Sequence, residues 1–374
     1  MTCPRSSLVS VSDTPWYHLV SRCVRRAFLC GSDAHSGQSF EHRRGWVVER
    51  LRQLAGVFAI DVAAYAVMSN HYHLVLRIDA ERARSWSRDE VLRRWTQLFD
   101  GPFAVQRLLA GKGEELDAAT HLGIDEWAEK YRARLCDLSW FMRVLNETIA
   151  RKANAEDDVT GRFWEGRFKS QALLDEQAIL AAMVYVDLNP IRAQMAETPE
   201  GSEHTSVADR IAQLKPARQR KPRPPSSARS TEATRAASQA VTPVVAAAVA
   251  PIAALKCETH LARLPQQPLM PFDASARLKA AIPFAFDDYL DLVDTTGRCI
   301  RADKRGAIAA HTPKLLERLN IDPEHFIDCA TNLTKQFGSA VGAPAHLADL
   351  CAARQVKYLR GVGAAKRAFE RRAA

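Results

Sequence analysis

Between Tyr17 and Val24, β-branched and polar positions partly alternate, the pattern of a half-buried β-strand. From Arg43 to Leu54 the period lengthens, and Val47, Val48, Leu51 and Leu54 recur at helical spacing up to a break at Gly56. Two apolar segments follow, Phe58 to Val67 and Tyr72 to Ile78, separated by Met68-Ser69-Asn70-His71. Their brevity and spacing predict two antiparallel strands joined by a short turn. Strand, helix, strand, strand is the opening of a split α/β sandwich.

Residues 80 to 160 read as helical and charged, with breaks at Gly101-Pro102 and Gly111-Lys112-Gly113. The most regular helix spans Leu138 to Ala153, where Leu138, Phe141, Met142, Leu145 and Ile149 form an apolar stripe. Trp140 is read with that stripe, while Arg143, Arg151 and Lys152 lie off it. Gln177 to Asn189 is a second helix, with Pro190 expected to stop it. At Pro216 the composition shifts to Arg, Lys, Pro, Ser and Ala. Three parts result: a domain over 1–215 with a helical insertion at about 80–137, a basic Pro/Ala-rich linker over 216–255, and a helical basic region over 256–374. No internal repeat is visible.

A net charge of +9 over 374 residues favours an anionic partner such as nucleic acid. No apolar run is long enough to cross a membrane; the longest, Val241 to Leu255, is interrupted by Pro243 and Pro251. The first seven residues carry no apolar signal core, so a cytoplasmic location is expected. Eight cysteines contain no C-x-x-C pair, which argues against a zinc ribbon or a thioredoxin-like motif. Reduced thiols are the simplest account, with Cys23 and Cys30 as small core residues.

The candidate chemistry starts at Asn70-His71-Tyr72-His73. On a strand, His71 and His73 point to one face and Tyr72 to the other, so the histidines form a pair of imidazole ligands on a rigid support. Downstream, Tyr185 and Asn189 stand four apart and share a helix face, whereas Asp187 projects elsewhere. A tyrosine nucleophile, a polar oxygen and two imidazoles would together serve metal-assisted attack on a phosphate. Asn189 precedes a proline at a helix end, which leaves Asp187 open as the third ligand. Gly161 to Lys169 interleaves Arg162, Arg167 and Lys169 with Phe163, Trp164 and Phe168. Such a strip can hold phosphates and stack bases, or its rings can anchor a loop to the core. Arg192, close beyond Tyr185, is a candidate phosphate clamp.

His71-Tyr-His73, Gly161-Arg-Phe-Trp-Glu-Gly-Arg-Phe-Lys169 and Tyr185-Val-Asp-Leu-Asn-Pro-Ile-Arg192, in that order, resemble the REP-associated tyrosine transposases of the single-tyrosine HUH superfamily. The resemblance covers roughly residues 15 to 200. It implies an α+β fold: a ferredoxin-like antiparallel sheet with helices on one face. It also implies single-stranded or hairpin DNA as partner, cleaved by transesterification. Tyr185 would attack the phosphodiester, leaving a free 3′-OH and a 5′-phosphotyrosine. His71, His73 and Asn189 would hold Mg²⁺ or Mn²⁺, in a monomer or homodimer. Two departures stand out: Tyr72 is bulkier than the aliphatic residue usual between the histidines, and the insertion at 80–137 is long. A non-catalytic DNA-binding protein of the same fold is the first alternative. A zinc hydrolase is the second, disfavoured by the lack of His-Glu-x-x-His.

Overall fold

The computed structural model describes residues 8–24, 29–31, 37–214, 254–300 and 313–370. The linker expected over 216–255 therefore lies almost wholly outside the described residues.

β1 spans Trp16–Arg22, and α1, Arg43–Val57, follows with Val47, Val48, Leu51 and Leu54 buried, as its period requires. β2 (Ile60–Val67) and β3 (His71–Ile78) form a hairpin closed by the Met68 N–H donating to the His71 carbonyl at 2.8 Å. The insertion contains α2 (Ala80–Ser85), α3 (Arg88–Thr96), α4 (Phe103–Leu109) and α5 (Ala118–Leu135). Asp79, Ser87 and Asp117 cap three of these helices by accepting backbone N–H bonds, which ends the chain's choice of start site locally. α6 (Leu138–Glu156) is capped in the same way by Asp137. β4 (Lys169–Leu173) leads through the cap Asp175 into α7 (Glu176–Asp187), then α8 (Asn189–Arg192) and α9 (Ser206–Leu214).

The remainder comprises α10 (Glu258–Leu261), α11 (Phe286–Ile300), α12 (Lys314–Arg318), α13 (Pro323–Gln336), β5 (Ala340–Val341), α14 (Pro344–Ala353) and α15 (Val362–Phe369). Among the described residues no helix is long and apolar enough to cross a membrane.

The fold is α+β around a five-stranded sheet in the order β2-β3-β1-β4-β5. Two expectations are corrected here. The sheet is mixed: β1 to β4 pair antiparallel, but β5 adds parallel to β4, with Ala172 opposite Ala340. Helices also cover both faces. On the face of Tyr72 the phenol donates to Asn146 Oδ1 of α6 at 2.6 Å. On the face of His73 the ring meets Tyr185 of α7. β2 and β3 are buried at nearly every position, so neither face could be left to water.

Pro190 does not simply stop a helix that runs to Asn189. α7 ends at Asp187, and Pro190 sits in the first turn of α8, where its missing N–H has no intrahelical partner to lose.

Candidate active site

The register of the sheet assembles the site. His71 lies opposite Arg22, His73 opposite Val20, and His18 opposite both Val75 of β3 and Gln171 of β4. Directly paired residues share a face, so His18, Arg22, His71, His73, Lys169 and Gln171 all stand on one side of the sheet. α7 crosses that side and places Tyr185 over the imidazoles. The Tyr185 ring meets His73 edge-on with centroids 5.4 Å apart, and meets His18 at 5.7 Å. His71 packs edge-on against His73 at 4.9 Å.

Arg192, carried by α8, closes the other side of the tyrosine. Its guanidinium carbon lies 4.6 Å from the Tyr185 ring centroid, and Nη2 donates to the phenol oxygen at 3.3 Å and to Asn189 Oδ1 at 2.5 Å. Nη1 donates to the Thr331 carbonyl of α13. The Tyr185 hydroxyl also lies 3.2 Å from Thr334 Oγ1, leaving the residue 4 % exposed.

The imidazoles are held neutral near physiological pH. Burial pushes His18 down to about 4, against a smaller opposing effect of its bond to Gln171. Burial does the same to His71, also down to about 4, with Arg22 and Arg192 adding to it. His73 is held well below the usual histidine value by burial, then by His18, His71 and the two arginines. Neutral rings keep a lone pair for an electrophile.

The donor set of the site suits a divalent cation in part. Among the described residues His73 Nε2 is buried with no hydrogen-bond partner, which suits a lone pair offered to a cation. His71 Nδ1 lies 2.5 Å from Asn70 Oδ1, so its proton belongs on that nitrogen and Nε2 keeps its lone pair. Asn189 fits less directly: its Oδ1 accepts from Arg192, and its Nδ2 is buried without a partner among the described residues. Among the described residues no group of three or more His, Cys, Asp or Glu could hold a metal. His71 and His73 could each offer Nε2 to a cation, and a third donor could come from Asn189 once Arg192 releases it.

Asp187 is spoken for elsewhere. Fully buried, it accepts from Ser206 Oγ at 2.5 Å, the Val207 N–H at 3.1 Å and the Tyr289 hydroxyl at 2.6 Å. Burial raises its pKa, and those hydrogen bonds act against the rise.

The basic strip divides by residue type. Arg162, Arg167 and Lys169 are exposed, whereas Phe163 and Phe168 are buried. Trp164 is half-buried; its Nε1 donates to the Asn146 carbonyl at 2.8 Å and its ring meets Tyr72 edge-on at 5.6 Å. The rings thus anchor the loop, and only its charges face outward. Trp140 is half-buried too, held between the guanidinium groups of Arg134 and Arg143 at 4.3 and 5.0 Å.

Sequence reasoning missed His18, Gln171 and Arg22. Alternation along Tyr17-His18-Leu19 separates His18 from the buried Tyr17 and Leu19, but does not say which strands flank it.

No protein-family model matches this chain, and no curated protein matches it. Among solved structures it is similar to a REP-associated tyrosine transposase bound to a REP hairpin, at 10 % identity and a TM-score of 0.32. The match covers 54 % of this chain and 82 % of that one.

Proposed function

We propose that this protein is a metal-dependent single-stranded DNA endonuclease and strand transferase, a transposase of the REP-associated tyrosine kind, acting at hairpin or palindromic DNA. The observation that carries the reading is the convergence of Tyr185, from α7, on the neutral His71–His73 pair of β3, with Arg192 beside the phenol. The antiparallel order β2-β3-β1-β4 is that of a split β-α-β sandwich, which supports a ferredoxin-like core.

The chemistry follows from the groups present. The Tyr185 oxygen attacks the phosphorus of a phosphodiester; the new O–P bond replaces the bond to the 3′-oxygen, which leaves with a proton as a 3′-OH. The 5′-phosphate stays on Tyr185, and a 3′-OH attacking that adduct rejoins strands without a nucleotide cofactor. Arg192, already donating to the phenol oxygen, stabilises negative charge on the nucleophile and on the phosphoryl oxygens. His71 and His73, with Asn189 as the amide donor, would hold Mg²⁺ or Mn²⁺, which when bound polarises the scissile phosphate. Exposed Arg162, Arg167 and Lys169 contact the DNA backbone; Lys169 pairs with Val20 and so stands level with His73 on the same sheet face.

The test is incubation with a labelled hairpin oligonucleotide and Mn²⁺, followed by denaturing electrophoresis and peptide mass spectrometry. A covalent adduct on Tyr185 is expected, absent from Tyr185→Phe. An adduct that survives Tyr185→Phe overturns the nucleophile. Tight hairpin binding without cleavage under any divalent ion favours a DNA-binding protein of the same fold.

A further inference from the structure

One chain of hydrogen bonds behind His73 runs out of the catalytic face and ends on the C-terminal region. Gln171 Nε2 lies 2.8 Å from the Gly338 carbonyl and 3.4 Å from the Phe337 carbonyl. Carbonyl oxygens only accept, so the amide NH₂ must face them and Oε1 must face the other way. Oε1 lies 2.8 Å from His18 Nδ1, which must therefore carry the proton. A neutral His18 protonated on Nδ1 has its lone pair on Nε2, and that atom is 3.0 Å from His73 Nδ1. The two rings are parallel within 6° with centroids 5.2 Å apart, a separation that fits an end-to-end bond between their nitrogens. The proton of His73 then sits on Nδ1, and its lone pair on Nε2, the atom buried without a partner among the described residues. The other arrangement puts a cation on the fully buried His18 and leaves a buried His73 N–H with no acceptor, and both are costly.

We propose that His18 and Gln171 are positioning residues that lock His73 in the tautomer presenting Nε2 to a divalent cation, with the lock anchored on the Gly338 carbonyl. The proposal rests on the reading of His71 and His73 as cation ligands. It makes residues 337–338 part of the machinery, because the same stretch leads into β5, where the Ala172 N–H donates to the Ser339 carbonyl at 2.9 Å. A partner behind a ligating histidine is a common device: it fixes ring orientation and raises ligand basicity, and losing it lowers metal affinity about 10–100-fold.

The experiment has two arms. In the first, long-range proton–nitrogen correlation spectra of histidine-labelled, metal-free protein near neutral pH report which ring nitrogen of each histidine is protonated. His18 and His73 are expected as Nδ1–H tautomers, and His73 is expected to become a mixture in His18→Leu and Gln171→Leu. In the second, Mn²⁺ affinity is read from the paramagnetic signal of the free ion. It should fall at least ~10-fold in His18→Leu and recover in His18→Gln, whose Oε1 can accept from His73 Nδ1. A wild-type His73 protonated on Nε2 overturns the lock. So do leucine variants that leave tautomer and Mn²⁺ affinity unchanged, and wild type that binds no divalent cation overturns its purpose. Gln171→Leu serves if His18→Leu fails to fold. Neither arm uses DNA, so a failed adduct assay with the expected tautomer would strike the proposed function and leave the lock standing.

Discussion

The Tyr185 hydroxyl lies 3.2 Å from Thr334 Oγ1, so the proposed nucleophile is covered by a helix from the far end of the chain. α13 departs from helical geometry at Asn332 (φ −124°, ψ 22°), between the two threonines that reach the site. Arg192 donates to the carbonyl of the first, Thr331. With Tyr185 only 4 % exposed, the attack proposed above requires this segment to shift.

The cover is held at its end by Arg360, whose Nη2 donates to the Thr334 carbonyl at 2.9 Å and the Phe337 carbonyl at 2.6 Å. Arg360→Ala should cost about 1–2 kcal/mol of stability and expose Tyr185. Nitration by tetranitromethane, mapped by mass spectrometry, measures this directly. In wild type Tyr185 should react far more slowly than Tyr358, which is 79 % exposed. The variant should narrow that gap. Equal rates in wild type would remove the idea of a cover.

Asp187 and Asn189 are two residues apart, yet their surroundings predict opposite phenotypes. Asp187 ties α7 to α9 through Ser206 and Val207, and to α11 through Tyr289. Asp187→Ala strands those buried donors and should destabilise the protein by about 3 kcal/mol in a denaturant titration, while Mn²⁺ affinity holds within about twofold. Asn189→Ala should do the reverse. Loss of Mn²⁺ binding in a folded Asp187→Ala protein would make Asp187 the third ligand instead.

How far the sequence discloses this site follows from what is local. β1, β2, β3 and α6 carry their period within a few residues, and alternation alone sends Tyr72 away from His71 and His73. Tyr72 is fully buried on the α6 side, as that alternation requires. His18 is different: its meaning depends on β1 lying between β3 and β4, a long-range pairing that no local pattern encodes. β4, with Lys-Ser-Gln-Ala-Leu, alternates too poorly to announce itself, and β5 is two residues long. The cover from Thr331 and Thr334 is equally invisible, because threonines on an amphipathic helix look like any polar face. In Gly161 to Lys169, charge and ring were legible but orientation was not; packing turned Phe163 and Phe168 inward.

Alkaline pH should unfold this protein through its buried tyrosines. Burial pushes Tyr17 up to about 12, opposed by the Ser10 N–H, which donates to the phenol oxygen at 2.9 Å. Burial also holds Tyr65 and Tyr289 well above the ordinary value, with Asp209 and Asp187 respectively adding to the rise. The folded pKa is the higher one, so the native state is fully favoured below the unfolded value of about 10. Above it the unfolded chain releases protons that the native state retains, and stability falls as pH climbs towards 12. For Tyr17 alone a rise of about two units corresponds to about 3 kcal/mol. Urea midpoints should therefore hold between about pH 8 and 9.5 and drop steeply from about pH 10 to 12. Tyr17→Phe should show a shallower drop. Phenolate absorbance of the buried tyrosines should rise together with loss of far-ultraviolet dichroism, because those rings ionise only as the fold opens. Their full ionisation with the dichroism intact would mean that water already reaches them in the native protein.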